Sequence, residues 1–292
     1  ANGVVNRDGK TATLTGTYDA DGGPTFLLQG SGRLEAGRNF TVDTVTVSGA
    51  SNALAGTPVL SNPVTLPTNT DLICDITAPL NNLITIDGGT VTLNADLTCA
   101  NNMALSGTGT IELNGNRYAL AGYYESALSS TLTYNNAVNL ELQGKLPLSG
   151  DWTFTGTNIL DGKGATFDLR SGGTITIGSG SRLVLRDALL KGVSQTNLIF
   201  TDTTSILELD RSQLDLTTSM TTDAGKIEVT GDSTFVMKDK DWIVKDNGKL
   251  TIDASILSLN VLGTDDELKP GTVKAPDAVY KERVKQTAAI AS

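Results

Sequence analysis

The fold is decided by four similar segments in the second half of the chain, namely Arg182-Leu183-Val184-Leu185, Ile206-Leu207-Glu208-Leu209, Lys226-Ile227-Glu228-Val229 and Lys249-Leu250-Thr251-Ile252. Their first apolar anchors are spaced by 24, 20 and 23 residues, at Leu183, Leu207, Ile227 and Leu250. A second anchor follows each of them after seven or eight residues, at Leu190, Leu214, Phe235 and Leu257. Glycine, aspartate, asparagine and serine, which allow turns, lie between the segments. Two anchors that recur together indicate a structural repeat.

A repeat of this length, made of short strands, is typical of a solenoid. Period-two alternation would send Leu207 and Leu209 into the core and Glu208 to solvent. The sequence therefore predicts an all-β, single-stranded parallel β-helix of about ten or eleven rungs, each about 22 residues long. Because the rungs are long and no hexapeptide repeat is present, we expect the right-handed form.

Composition agrees with a thin aliphatic core, since aromatic residues make up 5% of the chain and apolar residues 39%. We expect an N-terminal strand or cap at 1–24, the β-helix at 25–262 and a C-terminal linker and helix at 263–292. The alternating segment 11–18 is interpreted as a strand outside the later register. Asp277 is the expected N-cap of a helix that continues to Ala291.

The chain is acidic, with a formal net charge of −10 and an isoelectric point of about 4.5, which restricts the kinds of partner it can bind. The absence of a basic stripe argues against nucleic acid and anionic membrane surfaces as partners, because both attract clusters of lysine and arginine. No run of about 20 apolar residues is present to insert into a membrane. The chain begins at Ala1 without a methionine, which favours a secreted or cell-surface protein whose signal peptide has been removed.

Two cysteines, Cys74 and Cys99, are 25 residues apart, which is close to one rung. Their side chains would then stack one above the other, within reach of disulfide geometry. Two interpretations stay open, a disulfide in an extracellular chain or a pair of small buried thiols. Two cysteines without any histidine do not make a zinc site.

A more specific pattern begins with Asn158-Ile159-Leu160-Asp161-Gly162-Lys163-Gly164-Ala165-Thr166-Phe167-Asp168-Leu169 and continues through two further strand-like segments to Val193. It resembles the glycine-containing turn of the pectin-lyase-like right-handed β-helix superfamily and the rungs that follow that turn. The resemblance implies a fold and no particular reaction. Members include polysaccharide lyases and hydrolases, phage tailspikes, adhesins and surface passenger domains.

The charged residues of this region do not form a recognisable catalytic set. They alternate in sign, which is typical of a solvated, salt-bridged face: Asp161, Asp168, Arg170, Arg186, Asp187, Asp210 and Arg211. The chain contains no histidine, which removes histidine bases and serine–histidine triads. A weak candidate for sugar contact is Asp239, Asp241 and Trp242, which also fits a charged turn before a half-buried tryptophan. We expect no catalytic residue, metal site or cofactor.

These observations predict a secreted or cell-surface structural protein that self-associates or mediates adhesion without catalysis. Its expected partners are further copies of itself, in an oligomer or filament, or other surface proteins and glycans. Assembly through the ends of the repeat is favoured because both ends depart from it, and the candidate residues are Thr11, Leu14, Tyr18, Tyr280 and Val284. The alternative is a polysaccharide-binding or polysaccharide-cleaving β-helix of the lyase or tailspike type.

Overall fold

The computed structural model describes residues 4–8, 11–14, 25–42, 44–100, 102–236, 240, 242–244, 249–252, 259–262, 273–274 and 279–280. These residues are all-β and form about ten turns of parallel β-solenoid, as the repeat predicts. The chain divides into two compact units. Unit 1 comprises residues 1–123 and 130–139, and unit 2 comprises 124–129 and 140–292.

The strands described in unit 1 are β1 (Val4–Asp8), β2 (Thr11–Leu14), β3 (Thr25–Gln29), β4 (Arg33–Val42), β5 (Thr44–Ser48), β6 (Asn52–Leu60), β7 (Val64–Leu66), β8 (Asp71–Ile76), β9 (Ile84–Leu93), β10 (Leu97–Cys99), β11 (Leu105–Glu112), β12 (Tyr118–Ala121) and β13 (Thr131–Asn135). One ladder runs β1-β3-β5-β7-β9-β11-β13, and a second runs β2-β4-β6-β8-β9. β10 pairs with β12. All of these pairs are parallel, as stacked coils require.

The strands described in unit 2 are β14 (Leu140–Gln143), β15 (Lys145–Pro147), β16 (Asp151–Thr155), β17 (Thr157–Asp161), β18 (Thr166–Asp168), β19 (Thr174–Ile177), β20 (Arg182–Arg186), β21 (Leu189–Val193), β22 (Leu198–Phe200), β23 (Ile206–Asp210), β24 (Gln213–Leu216), β25 (Met220–Thr222), β26 (Lys226–Val229), β27 (Ser233–Val236), β28 (Trp242–Val244), β29 (Lys249–Ile252), β30 (Leu259–Leu262), β31 (Val273–Lys274) and β32 (Val279–Tyr280). The longest parallel ladder is β14-β17-β20-β23-β26-β29-β32. A second is β15-β18-β21-β24-β27-β30, and β16-β19-β22 and β25-β28-β31 are shorter.

The core of unit 2 contains the aliphatic column that the repeat predicts. Leu183 lies opposite Leu207, Leu207 opposite Ile227, and Ile227 opposite Leu250 in successive strands. The side chains of Leu183, Leu207 and Ile227 are at most 1% exposed. The burial pattern of β23 shows the predicted alternation, because Glu208 is partly exposed between two buried leucines. The first anchor of each repeat is therefore confirmed as a vertical neighbour of the next.

The second set of anchors is confirmed for three of its four members. Leu190 lies opposite Leu214, and Leu214 opposite Phe235. The next residue in this column is Val261, where the spacing predicted Leu257. That prediction is wrong because the step from Leu250 to Val261 is eleven residues, whereas the two anchors of the other repeats are seven or eight residues apart, so counting from Leu250 stops short of β30.

A recurring corner follows the strands of the longest ladder in unit 2. Lys163, Asp187 and Arg211, each just after a strand, have positive φ angles of 48°, 46° and 52°. The sequence 161–164 forms the predicted turn between β17 and β18, and a Cβ atom on Gly162 would lie 2.7 Å from Ala188 Cα. Glycine is needed at this position because the next coil approaches the backbone closely.

The N-terminal segment does not lie outside the register, contrary to expectation. β1 pairs in parallel with β3, and β2 with β4, with Thr11 opposite Arg33 and Leu14 opposite Ala36. The segment therefore adds strands to the solenoid. Its composition is polar and rich in glycine, which hides the repeat from a search based on aliphatic anchors.

At the C-terminus, the expected helix from Asp277 to Ala291 falls almost entirely outside the described residues. The part of that range that the structure describes, Val279–Tyr280, is strand β32 and pairs with Thr251 and Ile252 of β29. The strand ladder therefore extends beyond residue 262, where the sequence predicted that it would end.

Candidate functional site

Charged side chains form a ladder on the outer surface of unit 2. Arg182 of β20 pairs with Glu208 of β23 and, at 2.8 Å, with Glu228 of β26. Glu208 and Glu228 are direct neighbours on adjacent strands, where two like charges would repel each other. The guanidinium of Arg182 bridges both carboxylates and offsets this repulsion, so these contacts stabilise the surface of the sheet.

A second group of charges surrounds the corner that follows these strands. Arg211 Nε and Nη2 each donate to a carboxylate oxygen of Asp187 at 2.9 Å, and Arg211 Nη1 donates to Asp210 at 2.7 Å. Arg186 Nε donates to the other oxygen of Asp210 at 3.0 Å. The hydrogen bonds from Arg211 hold the pKa of Asp187 below its ordinary value. The corner therefore carries closely paired charges of both signs.

Asp168 is the most buried of the carboxylates that the sequence singled out. Arg170 Nε and Nη2 donate to its two oxygens at 2.9 and 2.7 Å, and Lys145 Nζ lies 3.7 Å away. Hydrogen bonding from Arg170 lowers the pKa of Asp168. Asp161 pairs with Lys163 at 2.9 Å. The interpretation of these residues as a salt-bridged face is confirmed.

A shallow groove of about 700 Å³ crosses this corner in unit 2. Its lining residues are polar or small for the most part: Lys163, Gly164, Asp187, Ala188, Leu189, Arg211, Ser212, Gln213, Asp232 and Thr234. A glycosidase acid needs a raised pKa to be protonated at neutral pH. Asp187 has the opposite shift, so its carboxylate suits hydrogen bonding better than proton donation.

The predicted sugar contact at Trp242 is wrong. Its side chain is 1% exposed, its Nε1 donates to Thr222 Oγ1 at 2.8 Å, and its ring packs edge-on against Phe235 with centroids 5.1 Å apart. It is a core residue with its one polar atom satisfied, and it is more deeply buried than the half-buried alternative implied. Asp239 and Asp241 lie outside the described residues.

The two cysteines are free thiols in unit 1, and both are buried. They do not occupy equivalent positions of successive turns: Cys74 lies opposite Leu54 and Leu93, and Cys99 opposite Leu80 and Leu120. A spacing close to one rung was misleading because the intervening coil is not the average length. Burial raises the pKa of each thiol to about 12. The structure therefore agrees with the second interpretation, a pair of small buried thiols.

The assembly candidates are placed at the ends of the ladders where the structure describes them. Thr11 and Leu14 begin and end β2, whose only partner among the described residues is β4. β1 likewise has β3 alone as a described partner. Tyr280 belongs to β32 at the other end of the chain. Tyr18 and Val284 lie outside the described residues.

One surface that the sequence analysis missed is a set of threonine columns in unit 1. Thr110 of β11 lies opposite Thr90 of β9 and Thr133 of β13, and Thr108 lies opposite Thr131. The signal was present as the Thr-x-Thr pattern at 90–92, 108–110 and 131–133. This signal does not enter the prediction of the repeat, which rests on apolar anchors and not on the polar residues that alternate with them.

The part of the chain that the structure describes contains no group of three or more His, Cys, Asp or Glu residues arranged to hold a metal ion. No helix there is long and apolar enough to cross a membrane.

Comparison with known proteins leaves the fold and the surface as the guides to function. No protein-family model matches this chain, and no curated protein or solved structure matches it at a level that indicates relatedness. The chain is therefore described by its architecture, a parallel β-solenoid.

Proposed function

We propose that this chain is an extracellular or cell-surface structural protein that self-associates by adding strands at the ends of its β-solenoid. The observation that carries the proposal is the outer edge of β1 and β2, which has no partner among the described residues. A strand edge of this kind offers a row of backbone donors and acceptors to another chain.

The register of the edge supports this form of association. β2 already pairs in parallel with β4 through four consecutive residues, so its backbone has the extended geometry that a further strand requires. A contact between the start of one solenoid and the end of another is heterologous, and it repeats without closing unless the rotation forms a ring. A filament or a surface lattice is the expected product, and adhesion would follow from many copies acting together.

Two proline substitutions test the edge. Backbone N–H groups of consecutive residues in a strand point to opposite sides, so of Ala12→Pro and Thr13→Pro one removes a donor from the outer edge and the other from the pairing with β4. We expect the wild type to gain mass with concentration in sedimentation equilibrium. One variant should remain monomeric with an unchanged thermal midpoint, whereas the other should lower that midpoint.

The pair of variants serves as its own control, because both introduce the same residue one position apart. A wild-type chain that stays monomeric over the whole concentration range would exclude self-association. Equal association by the wild type and both variants would exclude this edge as the contact.

Assignment to the pectin-lyase-like right-handed β-helices belongs to the same proposal. Its support is the turn at 161–164, which lies between β17 and β18 as the resemblance implies. The close approach of Ala188 to Gly162 gives that glycine a physical role. An experimental structure showing left-handed coils would exclude the assignment.

A second candidate is polysaccharide binding, favoured by the groove at the corner of unit 2. Lys163 and Arg211 would offer donors to an acidic sugar, with Gln213 and Thr234 as neutral partners. We expect Arg211→Ala to weaken retention on a polygalacturonate column, while Arg33→Ala in unit 1 does not. Retention that is equal for the wild type and Arg211→Ala would exclude this groove.

A further inference from the structure

A cluster of outward-facing threonines distinguishes three adjacent strands of unit 1. The hydroxyl array consists of two residues from each of β9, β11 and β13: Thr90, Thr92, Thr108, Thr110, Thr131 and Thr133. The core residues Val91, Ile111 and Leu132, each next to a threonine of its own strand, are at most 1% exposed, which places the threonines on the outer face. Thr108 and Thr131 are exposed and the other four are partly exposed.

The strand pairing makes this array a lattice in two directions. Thr110 lies between Thr90 and Thr133, so the hydroxyls repeat at about 4.8 Å across the strands. Thr108 and Thr110 are two positions apart along β11, as are Thr131 and Thr133 along β13, a distance of about 6.7 Å. A parallel solenoid holds both repeats fixed, because each coil lies over the previous one.

A further hydroxyl column in unit 1 extends the pattern. Thr46 of β5, Thr65 of β7, Thr85 of β9 and Ser106 of β11 lie opposite one another in successive strands. Thr85 Oγ1 and Ser106 Oγ are 3.4 Å apart. Hydroxyl residues in four consecutive turns show that such columns also occur in unit 1 outside the array.

Strand propensity alone does not explain these columns. Threonine is enriched in strands because its β-branched side chain fits a pleated surface. Strand propensity applies equally to β20, β23 and β26 of unit 2, where the outward positions include Arg182, Arg186, Glu208, Asp210, Lys226 and Glu228 beside the apolar Ile206. The same chain thus has one outer sheet rich in charge and another rich in hydroxyls, a difference that strand propensity does not produce.

The hydroxyls of the array are available to an external partner. Thr90, Thr110 and Thr133 make no side-chain hydrogen bond to another residue that the structure describes. A β-branched side chain is restricted at χ1, so each hydroxyl is already oriented and little entropy is lost when it is bound. The six threonines are uncharged in a chain of net charge −10, and three carboxylates lie directly opposite members of the array on neighbouring strands: Asp71 opposite Thr90, Asp87 opposite Thr108 and Glu112 opposite Thr92.

We propose that the hydroxyl array binds ice, by holding a layer of water that continues into the crystal lattice. A neutral grid of hydroxyls complements a neutral solid, and both of its repeats are close to the oxygen repeats on the prism face of hexagonal ice. The threonine methyl groups exclude disordered water between the columns, and the hydroxyls anchor the ordered water. This activity is independent of the association proposed for β1 and β2.

The test measures inhibition of ice recrystallisation and shaping of single ice crystals by the full chain. Thr110 is the central residue of the column that contains Thr90 and Thr133, so Thr110→Arg inserts a long charged side chain into the middle of the array. We expect this variant to require about tenfold more protein for the same inhibition, the loss corresponding to about 1.4 kcal/mol per molecule. Gln143→Arg introduces the same side chain at an exposed strand position in unit 2 and should leave the activity unchanged.

Two further measurements keep the proposal falsifiable. Thr110→Val keeps the β-branched shape without the hydroxyl and guards against a loss caused by misfolding, which circular dichroism of each variant would also reveal. A wild-type chain that neither shapes ice nor slows recrystallisation overturns the proposal, as does equal activity in Thr110→Arg. Retention on crystalline chitin or cellulose that Thr110→Arg abolishes, without an effect on ice, would assign the array to a solid polysaccharide instead.

Discussion

Replacing Leu207 with alanine should lower the free energy of unfolding of unit 2 by about 2–5 kcal/mol. Leu207 is fully buried between Leu183 and Ile227, and its own strand packs between two others. The substitution removes apolar contacts and leaves a cavity that stacked coils cannot close without breaking their register. In a solenoid each turn is stabilised by its neighbours, so a defect in the middle of the column weakens two interfaces at once.

Urea denaturation followed by tryptophan fluorescence measures this effect in the right place, because Trp152 and Trp242, the only two tryptophans of the chain, lie in unit 2. Ile206→Ala is the matched control, since Ile206 precedes Leu207 and faces outward as a half-buried residue. We expect it to cost about 1 kcal/mol or less. Equal losses from the two variants would contradict the assignment of Leu207 to the central column.

Gly107→Ala should be among the most damaging glycine substitutions in unit 1. Gly107 lies within β11 at a φ of 91°, and an added Cβ would overlap the carbonyl oxygen of Ile86 in the neighbouring strand. The positive φ alone costs about 1–2 kcal/mol for an L-residue. Forcing the clash adds about 1–3 kcal/mol, because backbone on both sides is held in the ladder.

The control for this prediction is Gly115→Ala. Gly115 also has a positive φ, 79°, but nothing lies within 4 Å of the position of its missing Cβ. Both variants therefore carry the dihedral penalty, and Gly107→Ala alone carries the steric one. Thermal unfolding followed by circular dichroism should show a larger drop for Gly107→Ala. Identical midpoints would mean that β9 and β11 separate easily at this point.

The repeat was predictable where aliphatic anchors recur at similar spacing. The column from Leu183 to Leu250 follows from counting residues, because burial of one face selects the register. Counting failed where a connection lengthens, as it does before Val261. It failed at β1 and β2 as well, since backbone pairing needs no particular side chain there.

Side-chain roles were harder to predict than strand positions. The opposite charges of Arg211 and Asp187 suggested an ion pair, and their pairing needed only that the corners stack. Trp242 gave no such indication, because charged neighbours in the sequence say nothing about which face of a short strand enters the core. Whether Cys74 and Cys99 lie one above the other depended on the length of the coil between them, and the average repeat length does not determine the length of a single coil.

The burial of Cys74 and Cys99 gives unit 1 an internal reporter of its own opening. A thiol reacts with alkylating reagents as the thiolate, and a pKa of about 12 leaves almost none of it at neutral pH. Modification therefore has to wait until the surrounding strands separate and water reaches the sulfur. The rate of labelling at these two cysteines would therefore measure how often unit 1 opens locally, while tryptophan fluorescence reports the unfolding of unit 2.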